Sequence, residues 1–253
     1  GTHRWSTRLT FPATAATDFL PDYGSLPRDI LDRVALAFIC SPANPQGAVA
    51  TTDYLADLLT LAETHDFRIL ADECYSEIWR EAPPPGLLQV ASAQGANPER
   101  ALVFHSLSKR SNLPGLRSGF VASGPECMAR LRQLRAFAGA PLPLPLQRVA
   151  EAAWADEAHV TASRALYHRK FADADRIFAG LQGYQAPGGG FFLWLPVEDG
   201  EQAALKLWTE TGVRVLPGAR RHDAGSADEE VRARVLRPAQ MAPRHRMGAD
   251  ELD

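Results

Sequence analysis

Three short stretches in the first half of the chain are continuously apolar at their centres: "VALAFIC" (34–40), "FRILAD" (67–72) and "ALVFHS" (101–106). Unbroken apolar runs, rather than alternating ones, predict parallel strands covered on both sheet faces. Between the first two, Tyr54, Leu55, Leu58, Leu59 and Ala62 fall on one face of a helix, with Thr52 or Asp53 as its polar cap. "GFVAS" (119–123) predicts a further strand, followed by a helix over 125–137 and the turn-rich "GAPLPLPL". Two long amphipathic helices, 146–159 and 161–180, come next. "GGGFFLWLPV" (188–197) then opens a new strand, followed by a helix over 200–211 and a short strand "VRVL" (213–216).

Strand, helix, strand in the first half predicts an α/β fold with a mostly parallel sheet flanked by helices. The expected organisation is a large domain over 1–158 and a smaller α+β domain over 159–218. Residues 209–253 hold no aromatic side chain, and seven arginines follow Gly218. A stretch with so little apolar surface, 219–253, is expected to be poorly ordered.

Composition narrows the function classes. The 253 residues are 45% hydrophobic and 23% charged, as in an ordinary globular protein, with a formal net charge of -3. That balance offers no electrostatic reason to bind nucleic acid or an anionic membrane. Cys40, Cys74 and Cys127 are widely spaced with no CxxC pair, which suggests reduced thiols in a cytoplasmic protein and no metal site. The start of the chain has neither a signal-peptide pattern nor an initiator Met, so it is expected to begin inside a longer protein.

The candidate chemistry lies just past the strands, where open α/β sheets bind ligands. The first strand leads into "SPANPQG", with Asn44 in a Pro/Gly-punctuated turn. The second ends in "ADECYSEI", with Asp72 at the strand end and Tyr75 three residues on. The third runs into "HSLSKRSNLPGLRSGF", carrying Ser106, Ser108, Lys109 and Arg117. The chain holds three lysines against 24 arginines. A lysine kept where arginine is the default cation suits a task that needs an amine able to lose its proton. Amine, carboxylate, phenol, amide and a hydroxyl/guanidinium cluster together suit a phosphorylated heteroaromatic aldehyde, pyridoxal phosphate.

Each residue also has an ordinary reading. Asp72 could cap a helix, Tyr75 could be core, Asn44 a turn residue, Ser106 and Ser108 local caps, and Arg117 a surface ion pair. Gly188–Gly190 precede a strand, not a helix, and read as a flexible turn. His105 reads as a cofactor-side ring or a packed strand-end residue. Pro141, Pro143 and Pro145 read as a rigid border of the substrate mouth.

Taken in order, "SPANPQG", "ADECYSEI" and "SLSKRSNLPGLRSGF" resemble the class I/II, fold-type I aminotransferases, over about residues 11–218. The wording of "PLPLQRVAEAAWADEAHV" and "GFFLWLPVEDGE" most resembles bacterial succinyldiaminopimelate aminotransferases. The resemblance implies a cytoplasmic homodimer that exchanges amino groups between amino acids and 2-oxo acids in lysine biosynthesis. Lys109 would form the Schiff base with the cofactor and shuttle the proton. Asn44, Asp72, Tyr75, Ser106, Ser108 and Arg117 would bind the cofactor, and Arg232 would hold the substrate carboxylate. No match to the family's first cofactor-binding turn stands before Phe11, and "RRHDAGSADEEVRARVLRPAQ" only echoes the family's carboxylate-binding strand. The fold is therefore expected to be incomplete at its N-terminus, the chain a partial gene product of low solubility that binds its cofactor weakly. A C–S lyase, a cyclase or a decarboxylase would use the same cofactor groups. So would a pyridoxal-phosphate-binding effector domain of a regulator, and an inactive fragment would preserve them by ancestry.

Overall fold

The computed structural model describes residue 9, residues 12–218 and, as backbone, residues 230–234. A short helix α1 (Arg28–Leu31) leads into strand β1 (Leu36–Cys40), and helix α2 (Thr52–Thr64) crosses over to β2 (Arg68–Asp72). Helix α3 (Leu87–Gln94) precedes β3 (Ala101–Ser106), which runs directly into the one-turn helix α4 (Leu107–Arg110). Strand β4 (Gly119–Ala122) closes this first unit, and α5 (Pro125–Phe137), α6 (Leu144–Ala155) and the long α7 (Ala158–Phe178) follow. The second unit contains β5 (Phe192–Pro196), α8 (Gly200–Thr211), β6 (Leu216–Pro217) and β7 (Glu230–Arg234).

The first sheet has the order β1-β2-β3-β4, parallel except for the last strand, which returns antiparallel to β3. Cys40 pairs with Asp72, and Asp72 with Phe104, so three strand ends carrying different chemistry lie side by side. In the second sheet β7 lies between β5 and β6, antiparallel to both. Five residues of the stretch expected to be poorly ordered thus pair as a central strand. The rest of 219–253 lies outside the described residues.

Helix α2 starts one residue earlier than its pattern predicts: the cap is Thr51, whose hydroxyl accepts the Tyr54 N–H at 3.1 Å. Its Leu55, Leu58, Leu59 and Ala62 pack with Leu87, Val90 and Ala91 of α3 and with Ala37, Ile39, Ile69, Ala71, Ala101 and Val103 of the sheet. Each such large aliphatic side chain contributes about 1.5–3 kcal/mol on burial.

The expectation that both sheet faces are covered fails at β1. Ala37 and Ile39 are buried, but Leu36 and Phe38 on the opposite face are 49% and 64% exposed. The cause is positional: the helices that cover β1 lie on the Ala37 and Ile39 side, and on the other face only Cys40, at the strand end, is packed, against the Tyr75–Phe171 cluster.

A second core joins the two units. Tyr75 and Ile78, just past β2, pack with Phe171 of α7 and with Phe191 and Phe192 at the start of β5. Polar ties reinforce it. Arg80 donates to Asp175 at 3.0 Å, Tyr184 donates to the same carboxylate at 2.9 Å, and Arg164 reaches both the carbonyl and the carboxylate of Glu77. The Arg80 guanidinium holds the Asp175 carboxyl below its ordinary value.

Candidate active site

The first wall of the site is the turn after β1. Ala43 and Gly47 close it with backbone hydrogen bonds of 2.7 and 2.8 Å, and the Ser41 hydroxyl accepts the Ala50 N–H at 3.0 Å. Both X–Pro bonds in it, Ser41–Pro42 and Asn44–Pro45, are cis. The turn presents Asn44, whose Nδ2 donates to the Tyr75 hydroxyl at 2.9 Å, while its Oδ1 is buried without a protein partner. Asn44 and Tyr75 come from different strand ends, 31 residues apart, and meet as their motifs suggest.

Glycines 188–190 are not a flexible turn. Gly189 N–H donates to Gly47 O at 3.0 Å, Gly190 N–H to Ile78 O at 2.7 Å, and Arg80 N–H to Gly188 O at 3.1 Å. Gly47 has φ +75°, and a Cβ there would land on Pro187 and 2.7 Å from the Gly189 carbonyl. The glycine strap is therefore clamped between the Asn44 turn and the Ile78 segment, where only small residues permit the approach.

Asp72 is exposed at the end of β2, and its Oδ1 accepts the Cys74 N–H at 3.1 Å. Tyr75 is 4% exposed with its ring against Phe191, 5.4 Å between centres. Burial pushes the Cys40 thiol up to about 12, and the Asp72 charge adds to the effect. Cys74 is raised by burial first, then by its hydrogen bond to Asp72 and that residue's charge, with Lys109 opposing. Both thiols stay protonated near neutral pH and are poor nucleophiles.

Lys109 sits in α4, whose N-terminus is capped by the Ser106 hydroxyl accepting Ser108 N–H at 3.1 Å. Its Nζ lies 4.8 Å from the centre of the Phe191 ring and 5.7 Å from that of Tyr75. The Ser106 hydroxyl donates to Ser108 Oγ at 2.9 Å and lies 3.3 Å from the Ser118 carbonyl. The Arg117 side chain is directed elsewhere. It adopts φ 54°, donates to the Pro114 carbonyl at 2.8 Å, and lines a cavity of about 330 Å³ with Arg135 and residues 140–143. Pro141 and Pro143 thus border a cavity, whereas Pro145 lies in the first turn of α6. A larger hollow of about 420 Å³, walled by Leu59, Thr60, Glu63, Gln94 and Ala96, contains none of the candidate groups.

His105 is a packed residue: its ring lies 5.0 Å from Phe120 and its Nε2 3.2 Å from a Glu73 carboxylate oxygen. The three residues after Lys109 all bind the α6–α7 corner. Arg110 donates to the Ala153 and Trp154 carbonyls and to Glu157, and Asn112 donates to Ser163 at 3.1 Å. Ser111 Oγ is 2.8 Å from His159 Nε2, whose Nδ1 is 2.7 Å from Asp156. That order is nucleophile, base and orienter, yet Ser111 is buried and takes Arg110 Nη1 at 3.4 Å, so the three groups serve as a tie. Sequence reading missed Phe191 and this corner. The small-residue run followed by paired aromatics in "GGGFF" was the available signal for the first.

Arg232 lies on β7 opposite Trp194 and Leu216. Among the described residues no cluster of His, Cys, Asp and Glu could hold a metal ion, and no helix is long and apolar enough to cross a membrane.

Lys109, on a one-turn helix after a parallel strand, thus lies over Tyr75, which is bonded to Asn44, with the Ser106 and Ser108 hydroxyls at the start of the same helix. The chain belongs to the aminotransferase class I and II family, which it matches over residues 4–240. It is 33% identical over 215 residues to the 4-dedimethylamino-4-oxo-anhydrotetracycline transaminase OxyQ of Streptomyces rimosus, covering 81% of this chain and 59% of that protein. It is 31% identical over 215 residues to an LL-diaminopimelate aminotransferase of Dehalococcoides mccartyi, covering 82% and 54%. Among solved structures it resembles a probable N-succinyldiaminopimelate aminotransferase of Thermus thermophilus, with TM-score 0.76 and 26% identity over 88% of this chain and 58% of that one. The chain therefore spans less than two thirds of the length of the curated relatives it matches.

The family and fold depend on pyridoxal phosphate, and the residues present fit it. The Asn44 Nδ2 that donates to Tyr75 carries a second proton, so the amide keeps a donor for a phenolic oxygen, whereas its buried Oδ1 can only accept. The serine hydroxyls can donate to phosphate, and the exposed Asp72 carboxylate can accept from a pyridinium N–H.

Proposed function

We propose that this chain carries the cofactor half of a transaminase acting on N-succinyl-LL-2,6-diaminopimelate, with glutamate and 2-oxoglutarate as amino donor and its product. The carrying observation is convergence: Lys109 stands over Tyr75, and Tyr75 is hydrogen-bonded to Asn44, so motifs from three strand ends meet at one amine. Pyridoxal phosphate, when bound, supplies an aldehyde that exchanges with amines and a pyridinium ring that withdraws electrons.

The remaining chemistry belongs to this chain. Lys109 would tether the cofactor through its ε-amine and, when free, would carry the substrate α-proton at Nζ. Asp72 would hold a proton on the pyridine nitrogen, the Tyr75 hydroxyl and the Asn44 amide would bind the phenolic oxygen, and Ser106 and Ser108 would bind phosphate. Arg117 would complete the phosphate site by turning from the Pro114 carbonyl, and Arg232 would bind the substrate carboxylate.

The diaminopimelate assignment is supported by the wording of the motifs and by the name of the Dehalococcoides relative. A relative of similar identity named an anhydrotetracycline transaminase makes the substrate the point to test. A cytoplasmic homodimer working in lysine biosynthesis is the matching assembly and setting.

Titrating the purified chain with pyridoxal phosphate tests the reading. The expected result is a visible absorption band that borohydride abolishes, leaving the label on Lys109 and none in Lys109→Ala. Label spread evenly over Lys170 and Lys206 would refute it. Turnover of succinylated diaminopimelate against unsubstituted diaminopimelate then decides the substrate.

A further inference from the structure

Beneath the amine of Lys109 lie two rings, only one of which the cofactor chemistry uses. Tyr75 is committed through its hydroxyl to Asn44. Phe191 has no polar atom, is 6% exposed, and stands closer, with the Lys109 Nζ 4.8 Å from its centre. Its position is fixed from several sides. Tyr167 of α7 stacks on it at 6.4 Å, Phe192 follows at 4.5 Å, and Gly190, with φ +80°, turns the chain into place beside Tyr75. Gly190 is itself held by its hydrogen bond to Ile78 O. The clamped strap thus delivers one aromatic face to one lysine.

We infer that Phe191 is a positioning residue for Lys109: its ring face seats the free ε-ammonium and favours its protonated form whenever the amine is not joined to the cofactor. This inference rests on the proposed role of Lys109. The negative face of an aromatic ring attracts a cation within about 6 Å, the more strongly when both are withdrawn from water. A catalytic lysine must shed its proton to react yet must not wander when released. A ring attracts the ammonium without the directional hold of a carboxylate, so the seat restrains the amine but lets it leave. Ionisable groups near Lys109 include Asp72, Cys74 and Tyr75 on the segment after β2, and Arg110 beside it on α4. Arg110 is directed at Trp154, Glu157 and the α6 carbonyls. Of these, only Tyr75 touches Phe191, ring to ring at 5.4 Å, and the Phe191→Tyr and Phe191→Trp variants keep an aromatic neighbour there.

The test needs no bound cofactor. The full-length chain, stripped of any cofactor, is reductively methylated across a pH series, and each lysine is followed by peptide mass mapping. Lys206, on α8, serves as the internal reference. Phe191→Leu keeps the apolar volume and removes the ring, so Lys109 should react about 3- to 10-fold faster below its pKa, with its profile moved to lower pH. Phe191→Tyr should restore the original profile and Phe191→Trp should move it higher, while Lys206 stays unchanged throughout. Coincident Lys109 profiles for Phe, Leu and Trp at position 191 would overturn the inference. If Phe191→Leu fails to fold, as judged by circular dichroism, the Tyr and Trp variants alone decide it. Because the readout is the free amine, failure here leaves the absorption test of the proposed function untouched, and the converse holds.

Discussion

Gly47→Ala is the substitution for which the geometry makes the sharpest quantitative statement. The residue adopts φ +75°, where an L side chain costs about 1 kcal/mol. A Cβ there would also meet Pro187 and lie 2.7 Å from Gly189 O, with neither neighbour free to move. Overpacking of that kind adds about 1–3 kcal/mol. The expected total is about 2–4 kcal/mol, a fall of roughly 5–15 °C in Tm for a domain of this size. Gly95 provides the matched control. It has φ +66° at the end of α3, and nothing lies within 4 Å of its hypothetical Cβ. Gly95→Ala should therefore cost the backbone part alone, about 1 kcal/mol and 2–4 °C. Thermal unfolding by circular dichroism at matched concentration measures both. Gly47→Ala should also weaken pyridoxal phosphate binding, since the Asn44 turn must shift, whereas Gly95→Ala should not. Equal Tm values for the two variants would refute the claim that the strap is clamped against the turn.

Arg110→Met should cost about 2–4 kcal/mol in urea unfolding, because it strands the Ala153 and Trp154 carbonyls beside a guanidinium-shaped gap; a loss under about 0.5 kcal/mol would show that the α6–α7 corner does not depend on it. Alkaline pH should destabilise the fold. Cys40 is raised from 9.0 to about 12, and Tyr23 and Tyr184 from 10.0 to about 12, each chiefly by burial. The unfolded chain loses these protons first, so stability is fully present below about pH 9 and declines as pH rises toward about 12. Urea midpoints that stay flat from about pH 9 to 11 would contradict this.

Much of the first unit was legible because its signals are local. The run 101–106 and the helices 125–137 and 200–211 coincide with β3, α5 and α8 residue for residue, whereas α3 and β7 were not anticipated and β6 begins at Leu216 rather than at 213. The candidate residues were legible for a different reason: strand ends carry ligands, so Asn44, Tyr75 and Lys109 could be gathered without knowing any distance. Long-range facts were not legible. That Gly188–Gly190 are held by Gly47 and Ile78 depends on contacts between segments far apart in the chain, and glycine alone spells only permission. Continuous apolar runs also could not tell a strand covered on both faces from one covered once, and β1 is the second kind. The direction of Arg117 toward Pro114 follows from a local backbone turn that side-chain chemistry does not encode.

The Tyr23 hydroxyl donates to the carbonyl of Phe38, in the middle of β1, which borders the first sheet among the described residues. One ladder acceptor of that border is thereby taken, and an incoming strand would have to break this bond before zipping onto it. The bare side chains of Leu36 and Phe38 point out of the sheet plane instead. Crowding of this chain at high concentration should accordingly produce face-on, solvent-sensitive clumping that mild detergent reverses, rather than cross-β fibrils. The border is guarded against templated growth even though its face invites contact.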